Sequence, residues 1–330
     1  QKTAYEIPKR DWSSDVCSSD LELRYIVAVA RERHFGRAAD KCFVSQPTLS
    51  VAIKKLEDEL GVALFERGVN EVRVTDVGTR VVEQAQRVLE EAGAIKHSAS
   101  AGKDDLNGPL RFGAIYTVGP YVTPQLIPLL MKRAPKMPLL IQENYTVRLG
   151  EMLKNGDIDL ILLSEPFNEP GIVTHAVYDE PFRVVMPVAH DWSKKTKIGA
   201  ADLCSETLLL LSSGNCFRDQ VLQTCAGAKR AVNSGLQQSL EGSSLETIRQ
   251  MVASGVGITV LPSTAAESRT ADNKLTAMKN FANPEPSRRV VLAWRKSFPR
   301  VKAVQAVREA LLACKLPGVT LLPSAKPVEH

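Results

Sequence analysis

Apolar residues recur along the chain with two different periods, and the change of period marks out the elements. From Leu21, apolar side chains at Leu23, Ile26, Val27, Val29 and Ala30 trace one face of a helix that ends near His34. Residues 35–42 read as a second, short helix whose small pair Ala38 and Ala39 lets another helix approach closely. After a turn at Phe43 and Val44, a third helix follows over 45–60, with Leu49, Ile53, Leu56 and Leu60 as its inward stripe. Its ends are marked: Ser45 can cap the start, Pro47 is tolerated in the first turn, and Gly61 can close the end. Residues 64–75 then alternate apolar and polar around Gly68 and Asn70, the pattern of a two-stranded wing. From Thr75 a long helix carries Val81, Ala85, Val88, Ala92 and Ile95 at spacings of four and three. That is a heptad seam, and an exposed seam implies a partner helix, so this segment is expected to be a dimerisation arm.

Beyond a polar, turn-rich hinge at 103–109, the period changes. Short apolar runs at 110–114, 139–142 and 158–163 alternate with helical segments, as in a mostly parallel sheet. A second set of runs lies at 183–186, 208–211, 257–261 and 290–294, with a helix over 244–254 that stops at Gly255. At 330 residues and 44% hydrophobic content the chain can fill more than one packed core. No apolar run approaches the eighteen or so residues of a membrane helix, and nothing resembles a secretory signal, so no membrane partner and a cytoplasmic location are expected. Residues 1–20 lack an initiator Met and include a Ser/Asp-rich stretch that joins abruptly to a well-patterned helix; they are expected to be an artefactual leader outside the fold.

The net charge of +5 suggests an acidic partner, but its distribution does not carry that inference. Residues 21–100 hold twelve Lys/Arg and twelve Asp/Glu, so any case for nucleic acid must come from local geometry. On the third helix that geometry is present. Gln46, Thr48, Ser50, Lys54 and Lys55 project away from the inward stripe near the helix start. Short hydrogen-bonding side chains there can reach base edges in a major groove while backbone N–H groups meet phosphate. Ser45 and Pro47 belong to the same turn, and Arg67 and Arg73 on the wing could contact the DNA backbone.

Six cysteines, at 17, 42, 204, 216, 225 and 314, show no CxxC spacing, and the five histidines lie away from the 216/225 pair. Neither a metal site nor a cofactor is expected. Cys42, Cys204 and Cys314 read as small buried hydrophobes. Cys216 and Cys225 flank a stretch without Gly or Pro that carries Phe217, Val221 and Leu222, about two turns of helix. Nine helical steps separate two residues by roughly 13 Å, whereas a disulfide needs Cα atoms within about 7 Å. The two thiols could therefore pair only if the helix unwinds. Spacing alone leaves Cys216 open to a structural reading as well, but Asn215 is a favourable N-cap. That would place Cys216 in a first turn whose free N–H groups and dipole stabilise a thiolate, with Arg218 adding positive charge. Cys225 is then the natural resolving thiol for a sulfenic acid at Cys216.

The order Ala38-Ala39, Ser45-Gln-Pro-Thr-Leu-Ser50, Leu56-Glu57, residues 60–67, Val74-Thr75 and Gly78 resembles the winged helix-turn-helix of LysR-type transcriptional regulators. The later segment is similar to that family's effector domain, which resembles a periplasmic binding protein with two α/β lobes. The resemblance implies an α+β multi-domain chain. The leader set apart above (1–20) precedes a winged helix-turn-helix (21–78) and a linker helix with hinge (79–107). An effector domain (108–316) follows, with one lobe from 108–180 and 283–316 and the other from 181–282, and then a tail (317–330). It also implies double-stranded DNA with a dyad-symmetric operator, a homodimer or homotetramer, and RNA polymerase as partners.

Residues 214–220 with Cys225, together with residues 115–121, are similar to the hydrogen-peroxide-sensing branch of the family. Carried over, Cys216 is the peroxidatic thiol and Cys225 the resolving one. Thr117, Thr146, Asn215, Arg218, Asp219 and Arg288 then surround the peroxide pocket and thiol. That branch commonly has His before the reactive Cys; here it is Asn215, which neither takes nor gives a proton. Two other functions compete with this reading. One is a LysR regulator answering to a small metabolite, with both thiols structural. The other is a thiol peroxidase, which would leave the DNA-reading module unexplained. No catalytic motif supports an enzyme: there is no G-x-S-x-G elbow and no P-loop.

Overall fold

The computed structural model describes residues 12–68, 72–99, 105–224, 241–268 and 274–322. Two compact units divide between Gly102 and Lys103.

The first unit opens with α1 (Trp12–Glu32), α2 (Phe35–Lys41) and α3 (Gln46–Leu60), followed by an antiparallel pair, β1 (Phe65–Arg67) and β2 (Val72–Val74), and α4 (Asp76–Ala99). Residues 12–20, set apart from the fold on sequence, are helical and continuous with the rest of α1; Asp20 pairs with Arg24 one turn on at 3.1 Å. Residues 1–11 lie outside the described residues. Ile26, Val29, Ala38, Ala39, Leu49 and Ile53 make the core. Leu60, assigned to the inward stripe, is 46% exposed, because α3 ends there and Gly61 turns the chain away at φ +68°. Ala85 is buried in this same core with Val81 and Val82 against it, whereas Val88 is 44% exposed. The first turns of α4 therefore belong to their own unit, and the seam is open at Val88.

The second unit is built on an 11-stranded sheet. Its strands are β3 (Leu110–Ile115), β4 (Leu139–Asn144), β5 (Leu160–Ser164), β6 (Ile172–Pro187), β7 (Lys197–Ile198), β8 (Leu208–Leu211), β9 (Glu241–Gly242), β10 (Ile258–Pro262), β11 (Thr276–Phe281), β12 (Ser287–Arg295) and β13 (Thr320–Leu321). The main path runs β4-β3-β5-β12-β6-β10-β8-β9. Helices α5 (Gly119–Arg133), α6 (Thr146–Lys154), α7 (Cys216–Thr224), α8 (Leu245–Ala253), α9 (Ser263–Ala266) and α10 (Val301–Leu312) pack around it.

β6 joins two hydrophobic cores. Its residues 172–181 pair with β12, its residues 182–185 with β10, and its residues 183–187 with β11 on the other side. The partner changes at Pro181, a residue that lacks an N–H. The strand expected at 183–186 is thus the far end of a 16-residue strand. One core gathers β3, β5, the first half of β6, β12, α5, α6 and α10; the other gathers the second half of β6, β8, β10, α7 and α8.

Candidate functional site

In the first unit, local chemistry aims α3. The Ser45 hydroxyl accepts the Thr48 N–H at 3.3 Å and lies 2.8 Å from the Thr48 hydroxyl. Pro47 sits in the first turn, and Gly61 ends the helix in the left-handed region. Gln46, Pro47, Thr48, Lys54 and Lys55 are exposed and Ser50 is half-buried, so these residues share one open end and face. Lys55 is also 3.5 Å from Glu22, a tie back to α1. Arg73 is exposed on the wing; the Arg67 side chain lies outside the described residues.

Several residues carry this unit without having been assigned a role on sequence. Glu57 Oε1 accepts the N–H groups of Leu64 and Phe65 at 2.7 and 3.1 Å, which fixes where the wing leaves α3. Thr75 Oγ1 donates to the Ala63 carbonyl and accepts the Gly78 N–H at 2.8 Å, starting α4. A Cβ on Gly78 would lie 2.2 Å from the Leu64 carbonyl oxygen, so only glycine lets the wing and α4 meet. His34 Nδ1 accepts the Gly36 and Arg37 N–H groups and caps α2.

In the second unit, three separate segments meet around Cys216. Ile115, Tyr116 and Thr117 leave the end of β3; Asn144, Tyr145 and Thr146 leave the end of β4; Gly214, Asn215 and Cys216 lead into α7. Together they line a cavity of about 10 Å³, near the minimum that holds one water. β3 and β4 are parallel neighbours, so their C-terminal ends open on the same side, where ligands of α/β sheets bind. Gly214 has φ +92°, a conformation that disfavours any other residue just before the thiol. Cys216 is half-buried, bears a free thiol, and packs against the core of the opposite lobe.

Of the residues expected around the thiol, Thr117, Thr146 and Asn215 line this cavity. Among the described residues, the Thr146 hydroxyl is buried without a partner. Asn215 is 7% exposed; its amide donates to the Ser212 carbonyl at 3.1 Å, which holds the turn ahead of α7.

Arg288 stands one residue further back. It donates to Thr117 Oγ1 at 2.8 Å and to the Thr117 carbonyl at 2.9 Å, while its Nε donates to Glu180 at 2.8 Å. Because Thr117 Oγ1 already accepts from Arg288, its own proton is left for whatever occupies the cavity. The Arg288–Glu180 pair is fully buried, and Glu180 also accepts from the Thr264 backbone N–H at 2.9 Å and from its hydroxyl. Glu180 was not anticipated, since a lone acidic residue in a strand carries no sequence signal of a buried guanidinium partner.

Besides Arg288, which reaches the cavity only through Thr117, two expected residues are not in its lining. Arg218 reaches the Leu211 carbonyl at 2.7 Å and Glu241 at 2.8 Å, because its two-residue offset from Cys216, about 200° around the helix, points it toward β8 and β9. Asp219 is exposed. Conversely, Ile115, Tyr116, Asn144, Tyr145 and Gly214 complete the lining without having been singled out for it.

Cys225 lies outside the described residues; α7 is helical from Cys216 through Thr224. Gln220 on α7 donates across to Ser164 Oγ at 2.8 Å and to the Glu165 carbonyl at 2.9 Å. The other thiols are differently placed. Cys314 is buried, donates to the Ala310 carbonyl, and is pushed up to about 11 by burial; Cys42 is also raised by burial.

Residues 21–79 match the bacterial regulatory helix-turn-helix of the lysR family, and residues 103–314 match the LysR substrate binding domain. The chain belongs to the LysR family. Among LysR relatives, the "hydrogen peroxide-inducible genes activator" of Dickeya chrysanthemi is 40% identical over 280 residues, 84% of this chain and 90% of that protein. Among solved LysR structures, a full-length Cys-to-Asp variant of OxyR from Pseudomonas aeruginosa is similar with TM-score 0.75 and 48% identity, over 91% of this chain and 97% of that one. A Cys-to-Ser variant of Corynebacterium glutamicum OxyR with hydrogen peroxide bound gives TM-score 0.60 and 31% identity, over 89% and 91%.

Proposed function

We propose that this LysR regulator senses hydrogen peroxide through Cys216 and Cys225 and controls oxidative-stress genes by changing how it holds DNA. The observation that carries the reading is the cavity itself. A free thiol borders a space of about 10 Å³ that also meets the unpartnered Thr146 hydroxyl and a Thr117 hydroxyl turned donor by Arg288. A pocket for a metabolite runs to roughly 300–1,000 Å³; this one has room only for a ligand close to water in size. The names of the relatives agree with that chemistry.

The thiolate of Cys216 attacks one peroxide oxygen, the O–O bond breaks, and the departing hydroxide takes up a proton as water, leaving a sulfenic acid on Cys216. The Thr117 and Thr146 hydroxyls can hold the peroxide for that attack. The thiolate of Cys225 then displaces hydroxide from the sulfenic sulfur and forms the disulfide. Along intact helix the two positions stand roughly 13 Å apart, beyond the ~7 Å that a disulfide spans. Pairing therefore unwinds α7 and pulls Gln220 from Ser164 and Glu165. Strain of this kind raises the disulfide's potential, so cellular thiols can reset it.

On the DNA side, Gln46, Pro47, Thr48 and Ser50 read base edges, with Ser45 holding the first turn. Lys54, Lys55, Arg67 and Arg73 meet phosphates. Pairing along the free part of α4 gives a dimer, and dimers associate as a homotetramer on a dyad-symmetric operator, from which RNA polymerase is engaged. Peptide mass spectrometry after one equivalent of peroxide tests the switch. A Cys216–Cys225 linkage is expected, absent in Cys216→Ser, with operator binding retained. A Cys216→Ser protein that still changed its footprint on adding peroxide would overturn the mechanism.

A further inference from the structure

The lining of the cavity is graded from floor to mouth. Ile115 and Thr117 are each 3% exposed and Asn215 is 7% exposed, whereas Tyr116 and Tyr145 are each 41% exposed. The two tyrosine rings meet edge to face, with centroids 5.3 Å apart and planes at 75°. They come from different strand ends and, with Gly214, make up the exposed part of the lining. We infer that Tyr116 and Tyr145 form an aromatic gate that sets which peroxides reach Cys216, admitting hydrogen peroxide and rejecting alkyl hydroperoxides by size.

The inference rests on the peroxide reading above and deepens it. A volume of about 10 Å³, near the minimum for a single water, leaves no room for an alkyl group beside the reacting oxygens. Both H–O–O–H and R–O–O–H give the same step: the Cys216 sulfur gains one oxygen, the O–O bond breaks, and the other oxygen leaves as water or as the alcohol R–OH after protonation. They differ only in the group on the departing oxygen. With the polar hydroxyls of Thr117 and Thr146 deep in the lining, the departing side faces the mouth, where hydrogen is accommodated and a tert-butyl group meets the paired rings. Edge-to-face rings are held weakly enough to part for a small molecule in transit. Tyr116 is next to Thr117 and Tyr145 next to Thr146, so each hydroxyl that positions the peroxide is adjacent in sequence to one leaf of the gate.

The test uses the full chain with Cys225→Ser, so that oxidation of Cys216 stops at the sulfenic acid and is counted by dimedone labelling and intact mass. Rates are compared for hydrogen peroxide and tert-butyl hydroperoxide. The parent should prefer hydrogen peroxide by at least about a hundredfold. Tyr116→Ala and Tyr145→Ala should each narrow that preference about tenfold, chiefly by speeding the bulky reagent. Tyr116→Phe, which keeps the ring, should behave as the parent. Both rings are partly exposed, and unchanged thermal unfolding would show that the alanine variants remain folded. If one alanine variant does not fold, the other carries the comparison.

An unchanged preference in a folded alanine variant, or a parent that reacts equally with both reagents, would overturn the gate while leaving Cys216 as a peroxide sensor. Failure of Cys216 to react with hydrogen peroxide would instead overturn the sensing reading, and the gate with it.

Discussion

Helices α3 and α7 begin alike, each with a short polar residue ahead of its first turn, yet they are held by opposite means. α3 is fifteen residues long, capped by Ser45, closed by Gly61, and seated on Leu49 and Ile53. Its ends are satisfied by its own neighbours in sequence. α7 is described over nine residues, from Cys216 to Thr224. Its ties come from far along the chain: Arg218 to Glu241, Gln220 to Ser164 and Glu165, and Phe217 beneath the Arg288 guanidinium at 5.1 Å. A helix that depends on distant partners can be released by breaking them. One that is capped locally keeps its shape while the rest of the protein changes. The contrast matches the two roles proposed, a reading head that must stay constant and a sensor segment that must not.

The largest expected effect comes from the support behind α7. Glu180→Ala leaves the buried Arg288 without its carboxylate, and breaking such a pair costs about 3–5 kcal/mol. Urea unfolding of the second unit should show that loss while the melting of the first unit is unchanged; a loss below 1 kcal/mol would mean that α7 is not anchored through this pair. Next in size, Gln46→Ala or Thr48→Ala should cost about 1–3 kcal/mol of discrimination between operator and random DNA. Titrations on both DNAs decide it, and equal losses on the two would remove these side chains from base reading.

Ser45→Ala should lower the stability of the first unit by about 1 kcal/mol, the ordinary value of an N-cap. A thermal melt with no shift would remove the local-cap half of the contrast. Gln220→Leu should cost about 0.5–1.5 kcal/mol of stability and at the same time speed conversion of the Cys216 sulfenic acid to disulfide. Slower closure would show that Gln220 guides the rearrangement rather than restraining it. The smallest effect is a protection. Burial keeps Cys314 protonated below about 11, so iodoacetamide at pH 8 should label Cys216 well ahead of Cys314. Equal labelling by mass spectrometry would contradict the burial.

Residues with local jobs were legible in the sequence. Ser45 and Gly61 bound α3 as their chemistry requires, and Ser244 caps α8 by accepting the Thr247 N–H at 3.1 Å. α5 was harder to see, because Pro120, Pro124 and Pro128 read as breaks. They are tolerated because all three are exposed, while Val122, Leu126 and Leu130 face the core. Arg218 shows the reverse failure: its closeness to Cys216 in sequence suggested a shared site, but helix geometry turns it toward Glu241.

By itself, the sequence determined where most helices and strands lie, which face of α3 is open, and that Cys216 and Cys225 cannot pair across an intact helix. Period, caps and covalent reach are properties of neighbouring residues. Only the tertiary structure decided what surrounds the thiol. Thr117, Thr146 and Cys216 come from three segments joined by strand pairing and by the crossing of β6 between lobes, and the Glu180–Arg288 pair becomes a support only once burial excludes water from both charges.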